Sequence, residues 1–122
     1  MYSVLRFGEL SDADIESLGQ QLERILPGVV DGPDIRCPDR VSISLADDDD
    51  WRLHLDSITT NVKLLDELIA TMRGTDRTLE LDFAIDPEDF ERLLSEFVFD
   101  IQFLDMLVSR KIALTLSIYG GP

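Results

Sequence analysis

VSISLADDDDWRLHL, residues 41–55, holds two runs of alternating apolar and polar side chains on either side of four aspartates. Alternation puts Val41, Ile43 and Leu45 on one side of a strand and Trp51, Leu53 and Leu55 on one side of another. Four like charges in a row belong in water, so Asp47–Asp50 predicts a solvated tip joining the two as an antiparallel hairpin. That hairpin decides the fold, because helical patterns and further strands lie on both sides of it.

Working outward, YSVLRF (Tyr2–Phe7) reads as a first strand. Ser11 is placed to cap a helix whose first turn carries Asp12 and Asp14, which suit the positive end of the helix dipole. Ile15, Leu18, Leu22, Ile25 and Leu26 recur at helical spacing until Pro27-Gly28 stops the run. From Pro27 to Arg40 no period survives, which predicts a long loop. After the hairpin, Val62, Leu65, Leu68, Ile69 and Met72 form a helical stripe, with Thr60 or Asn61 as its cap and Arg73-Gly74 as its end. TLELDFAI (Thr78–Ile85) alternates again, with Leu79, Leu81, Phe83 and Ile85 inward. Asp86-Pro87-Glu88 is a helix start. One unbroken helix from there to Arg110 would span about 36 Å, nearly twice the roughly 20 Å of a typical strand. A break near Phe97–Asp100, giving two helices, is therefore expected. IALTLSIY (Ile112–Tyr119) closes the chain as a strand with Ile112, Leu114, Leu116 and Ile118 on the core side.

The order predicts a single α+β domain over residues 1–122. It is a two-layer sandwich with a ferredoxin-like βαββαβ core, extended by a C-terminal helical segment and a final strand in an antiparallel or mixed sheet. One-sided alternation leaves the second side of the sheet wet. Ser42, Ser44, Arg52, His54, Glu80, Asp82, Thr115 and Ser117 are expected there. At 122 residues, such a domain buries enough surface to fold without metal or disulfide.

Twenty-five acidic residues against eleven basic ones give a formal charge of −14. So negative a surface repels phosphate backbones and anionic lipid heads, which disfavours nucleic-acid and membrane partners, and it attracts a basic protein. No apolar run approaches a membrane span. The start of the chain lacks the pattern of a secretion signal, and the lone Cys37 has no partner for an internal disulfide. A cytoplasmic location is the expectation.

Chemistry-bearing patterns are sparse. His54 and Cys37 are the soft ligands and show no metal-site spacing. Asp47–Asp50 lacks the alternating ligands, glycine and distal glutamate of a calcium loop. His54 falls on the polar side of its expected strand, where a catalytic role is disfavoured against an ordinary sheet-surface one. GxGxxG and GK[ST] phosphate loops are absent. No cofactor, metal or catalytic residue is assigned, and a non-enzymatic role is expected. Trp51 weighs toward the core near the hairpin end, and less toward a partner anchor.

W-x-L-x-L (Trp51–Leu55), the amphipathic helix after it, and FLDMLVSRKIALTLSIY (Phe103–Tyr119) together resemble a family of small bacterial domains of unknown function. Some of its members are similar to immunity proteins encoded beside polymorphic toxins. The resemblance covers about the last seventy residues; the Pro27–Arg40 loop departs from it. It implies a fold and a binding role, and no functional residue carries over. The leading expectation is an acidic binding protein, an immunity-type inhibitor of a basic toxin, with Asp31, Asp34, Asp47, Asp48, Asp49, Asp50, Glu80 and Asp82 as contact residues. The alternative is a ligand-sensing or housekeeping domain acting as a homodimer through the exposed sheet face or an edge strand.

Overall fold

The computed structural model describes residues 1–32, 38–72, 77–85 and 98–118. Outside them lie Asp34 and Cys37, the expected helix end at Arg73-Gly74, the expected helix start at residues 86–88, and residues 119–122. The described elements are β1 (Tyr2–Gly8), α1 (Asp12–Ile25), β2 (Val30–Asp31), β3 (Val41–Ala46), α2 (Trp51–Leu64), α3 (Asp66–Thr71), β4 (Thr78–Ile85), α4 (Ile101–Ser109) and β5 (Ala113–Ile118). The strands form one mixed sheet in the order β2-β3-β1-β4-β5. All neighbours run antiparallel except β4 and β5, which are parallel.

The helices pack on one side of this sheet, as a two-layer α+β sandwich requires. The inward side chains Leu5, Phe7, Val41, Ile43, Leu45, Leu81, Phe83 and Ile85 form a single core with Leu18 and Leu22 of α1. Leu55, Ile58 and Val62 of α2, Leu68 and Ile69 of α3, and Phe103, Met106 and Leu107 of α4 complete it. Caps explain where helices begin. Ser11 accepts from the Asp14 amide at 3.3 Å, and Asp100 accepts from the Phe103 amide at 2.8 Å. α4 starts immediately after Asp100, and residues 98–100 before it are not helical; the first of the two expected helices lies outside the described residues.

The central hairpin is not formed. Residues 51–55 open α2, with Asp50 as its cap accepting from the Leu53 amide at 3.0 Å. Trp51 and Leu55 are four apart, so they share a side of a helix as readily as a side of a strand. The stripe then continues through Ile58, Val62 and Leu65, which are buried. Leu53 breaks the strand reading, being 57% exposed. Thr60 and Asn61 lie inside α2 and cap nothing; Asn61 instead donates to the Leu45 carbonyl at 2.6 Å. The partner of β3 on its outer side is the two-residue β2, within the expected loop. The α+β class and the mixed sheet stand, while β2 lies within the expected loop and α2 begins at the expected third strand.

Two further expectations change. Arg52 and His54 are on helix α2, with Arg52 exposed and His54 fully buried. Leu114, Leu116 and Ile118 pair in register with Leu81, Phe83 and Ile85 and so share their side of the sheet. They nevertheless stay exposed, Ile118 at 62%, because an edge strand has a sheet neighbour on one side only.

The helix after the break ends in a Schellman turn. The Ile112 amide bonds the Leu107 carbonyl at 3.0 Å and the Lys111 amide bonds the Val108 carbonyl at 3.0 Å. Lys111 occupies the left-handed position with φ 55°, where a side chain costs about 1–2 kcal/mol relative to glycine. Lys111→Gly is therefore expected to raise stability by roughly 0.5–1 kcal/mol in urea unfolding, part of the gain being lost to glycine's freer unfolded chain. The helical reading of residues 51–55 is tested by a pair of truncations. Leu55→Ala should cost about 2–5 kcal/mol, and Leu53→Ala no more than about 0.5 kcal/mol. Equal, large losses at both positions would restore the strand.

Candidate functional site

β1 carries its outward residues Val4 and Arg6 between β3 and β4, so Arg6 stands directly beside Glu80 and diagonally from Asp82. Its Nη1 donates to Glu80 Oε1 at 3.1 Å and to Asp82 Oδ2. Burial works against the guanidinium charge, but the bonds and charges of Asp82 and then Glu80 outweigh it, and the Arg6 pKa is raised. Asp82 is 4% exposed, and its Oδ1 has no hydrogen-bond partner among the described residues. Two carboxylates share one cation, so the cluster keeps a net negative charge.

Beside it, Tyr2, Val4, Arg6, Asp31, Gly32, Arg40 and Ser42 line a shallow concavity of about 370 Å³. On the helix side, a groove of about 310 Å³ runs between α2 and α4 over Leu55, Phe103 and Met106. Its rim includes Arg52, paired with Asp100 at 3.3 Å. Arg110 clamps Asp66 through Nε at 2.6 Å and Nη2 at 3.0 Å, tying the end of α4 to the start of α3. Among the described residues no three His, Cys, Asp or Glu side chains converge as a metal-holding group.

The expected contact residues divide between two places. Asp31 is exposed on β2 and lines the concavity, while Glu80 and Asp82 are held by Arg6 on the same side of the sheet. Asp34 lies outside the described residues. Asp47–Asp50 form the turn into α2, not a hairpin tip. Asp50 caps the helix, and Asp48 Oδ2 accepts from the Ser57 hydroxyl at 3.0 Å. Asp49 lies 3.7 Å from the N-terminal amine. Asp47 and Asp49 are the exposed, outward members of this turn that neither cap nor brace the helix.

Sequence reasoning missed a buried polar network around His54. Its Nε2 is 2.5 Å from Ser3 Oγ, and its Nδ1 lies 3.1 Å from the Asp48 carbonyl and 3.3 Å from the Asp48 amide. The ring stacks on Trp51 at 6.4 Å and meets Phe83 at 5.6 Å. A serine hydroxyl against an imidazole is the geometry of an activated nucleophile. Here both residues are fully buried, so the pair braces β1, the Asp47–Asp50 turn and α2 from within the core. The available signal was the stripe of Trp51, Leu55 and Ile58, which turns the preceding face of α2, and with it His54, toward the sheet.

Burial depresses the His54 pKa below its ordinary 6.5, and the hydrogen bond and charge of Asp48 oppose this only in part. The imidazole is therefore neutral in the fold, and the unfolded chain takes up its proton first. The stabilisation is complete above about pH 6.5 and is lost as the pH falls through the depressed folded value. Urea unfolding followed from pH 7.5 to 5 should show this loss, and His54→Gln should remove that part of the slope. Ser3→Ala, which strips the ring of its buried partner, is expected to cost about 1–3 kcal/mol at neutral pH. An unchanged midpoint in both variants would contradict the bracing role.

Comparison with known proteins finds no matching family model, no matching curated protein and no matching solved structure.

Proposed function

We propose that this chain is a non-enzymatic binding domain whose acidic surface docks a basic protein, in the manner of an immunity-type inhibitor that covers a toxin's working surface. The observation that carries the reading is the charge of −14 on 122 residues. Placement of the acids adds to it. Asp47 and Asp49 project from a turn that is anchored from below by the Asp48–Ser57 and Asp50–Leu53 bonds. A braced turn presents its charges without first having to be ordered, which lowers the cost of association. Asp31 adds a second exposed carboxylate beside the concavity of the open sheet.

Asp48 and Asp50 serve the fold, and Glu80 and Asp82 are committed to Arg6. The steering surface is therefore assigned to Asp31, Asp47 and the largely exposed Asp49, whose carboxylate also meets the N-terminal amine, with Asp34 completing the set carried from the sequence. The Ser3–His54 pair is sealed in the core and gives no support to hydrolysis.

Electrostatic steering acts on the association rate and is screened by salt. With the protein encoded by the neighbouring reading frame as the probe, the double variant Asp47→Asn/Asp49→Asn should associate several-fold more slowly than the parent at low salt, and the two should converge near about 1 M salt. Stopped-flow fluorescence of Trp51 reads the rate. Equal rates at low salt, or no complex with that probe, would defeat the proposal.

A further inference from the structure

We propose that the outer edge of β5 is a two-fold seam at which a second copy of this chain pairs, joining two sheets into one. β5 is the last strand of the sheet, bonded to β4 on one side. The two edges of the sheet are built differently. β2, the opposite edge, is two residues long and ends in Asp31, a short and charged edge of the kind that discourages strand addition. β5 runs for six residues, Ala-Leu-Thr-Leu-Ser-Ile, without charge or proline, and its ladder to β4 is unbroken. Among the described residues, none of the usual protections of a free edge is present on β5.

The identity of the occupant follows from the sequence of the strand. Residues directly opposite each other in an antiparallel pair point to the same side of the sheet. A two-fold register centred on Leu116 sets that residue against its own copy, Leu114 against Ile118 of the second copy, and Thr115 against Ser117. Apolar then meets apolar on the helix side and hydroxyl meets hydroxyl on the open side, the pairings that stabilise a ladder. The apolar members are the exposed ones: Leu116 is 50% exposed. Charge points the same way. A basic partner finds no carboxylate on this strand, whereas two acidic copies can meet here with no carboxylate set against another.

This seam uses none of the aspartates of the acidic turn, so either proposal can fail alone. Salt also separates them, since screening weakens docking of a basic protein and relieves repulsion between two chains of charge −14. Light scattering on the eluting intact chain should give twice 13.8 kDa, with the dimer fraction rising with salt. A single-chain mass throughout the salt series would overturn the seam. Leu116→Lys should lose the doubled mass while keeping its circular dichroism and melting midpoint; a folded Leu116→Lys dimer would place the contact elsewhere and overturn it. Should that variant not fold, Leu116→Cys in a Cys37→Ser background decides. The register brings the two Cβ atoms to about 4.5–5.5 Å, so copper–phenanthroline should link the copies through residue 116. Leu53→Cys on α2, in the same background, should stay single. Equal linking of both variants, or of neither, would overturn the register.

Discussion

Strand β1 is hydrogen-bonded on both sides along its length, to β3 and to β4, and the rest of the structure depends on that double pairing. A strand held on both sides has no freedom to slide, since a one-residue slip would turn Leu5 and Phe7 into water. Both side chains are fully buried, at a worth of about 1.5–3 kcal/mol each. The same constraint carries Ser3 under the helices, where a hydroxyl needs a partner. His54 supplies it from α2, and the Asp48 backbone orients the ring from the opposite edge. The polar network is thus a consequence of the register, and it fixes in turn where α2 must start.

Aromatic packing extends the constraint toward the C-terminal half. Phe83 of β4 lies 5.6 Å from Trp51, 5.2 Å from Phe99 and 6.1 Å from Phe103. Trp51 donates to the Val98 carbonyl at 2.9 Å, which holds the segment before α4 against the start of α2. Edge-on aromatic pairs contribute about 0.5–1.5 kcal/mol beyond their area. One phenylalanine thereby gathers α2, α4 and β4 around a common point.

Charge is organised with similar economy. Arg6 is pinned between Glu80 and Asp82 on the open side of the sheet, Arg77 meets Asp14 at 2.8 Å, and Arg110 grips Asp66. Several of the few cations are spent locking elements together, so the excess of carboxylates stands outward. The proposed binding role rests on that division of labour: these arginines hold elements of the fold together, while Asp31 and Asp47 stand exposed.

Much of the element pattern was legible in local order. β1, α1, β3 and β4 declare themselves by period and by cap residues, because each of those signals acts within a few residues of itself, and the break before α4 follows from the length one unbroken helix would have. Residues 51–55 misled because five positions are too few to separate period 2 from period 3.6 when Trp51 and Leu55 satisfy both; Asp50 as a cap and the continuing stripe to Leu65 are the features that decide. At the candidate site, the chain alone identified the carboxylates but not their duties. Whether Asp48 braces a helix or Glu80 meets a partner depends on Ser57 and Arg6, which strand pairing and helix packing bring near. The sequence by itself determined the α+β class, the apolar sides of β3 and β4 and the excess of acid, all of them properties of neighbours along the chain. Tertiary structure alone decided the sheet order, the burial of His54 against Ser3 and the place of β5 at the end of the sheet, because each arises from contacts between residues far apart in the chain, which no local period records.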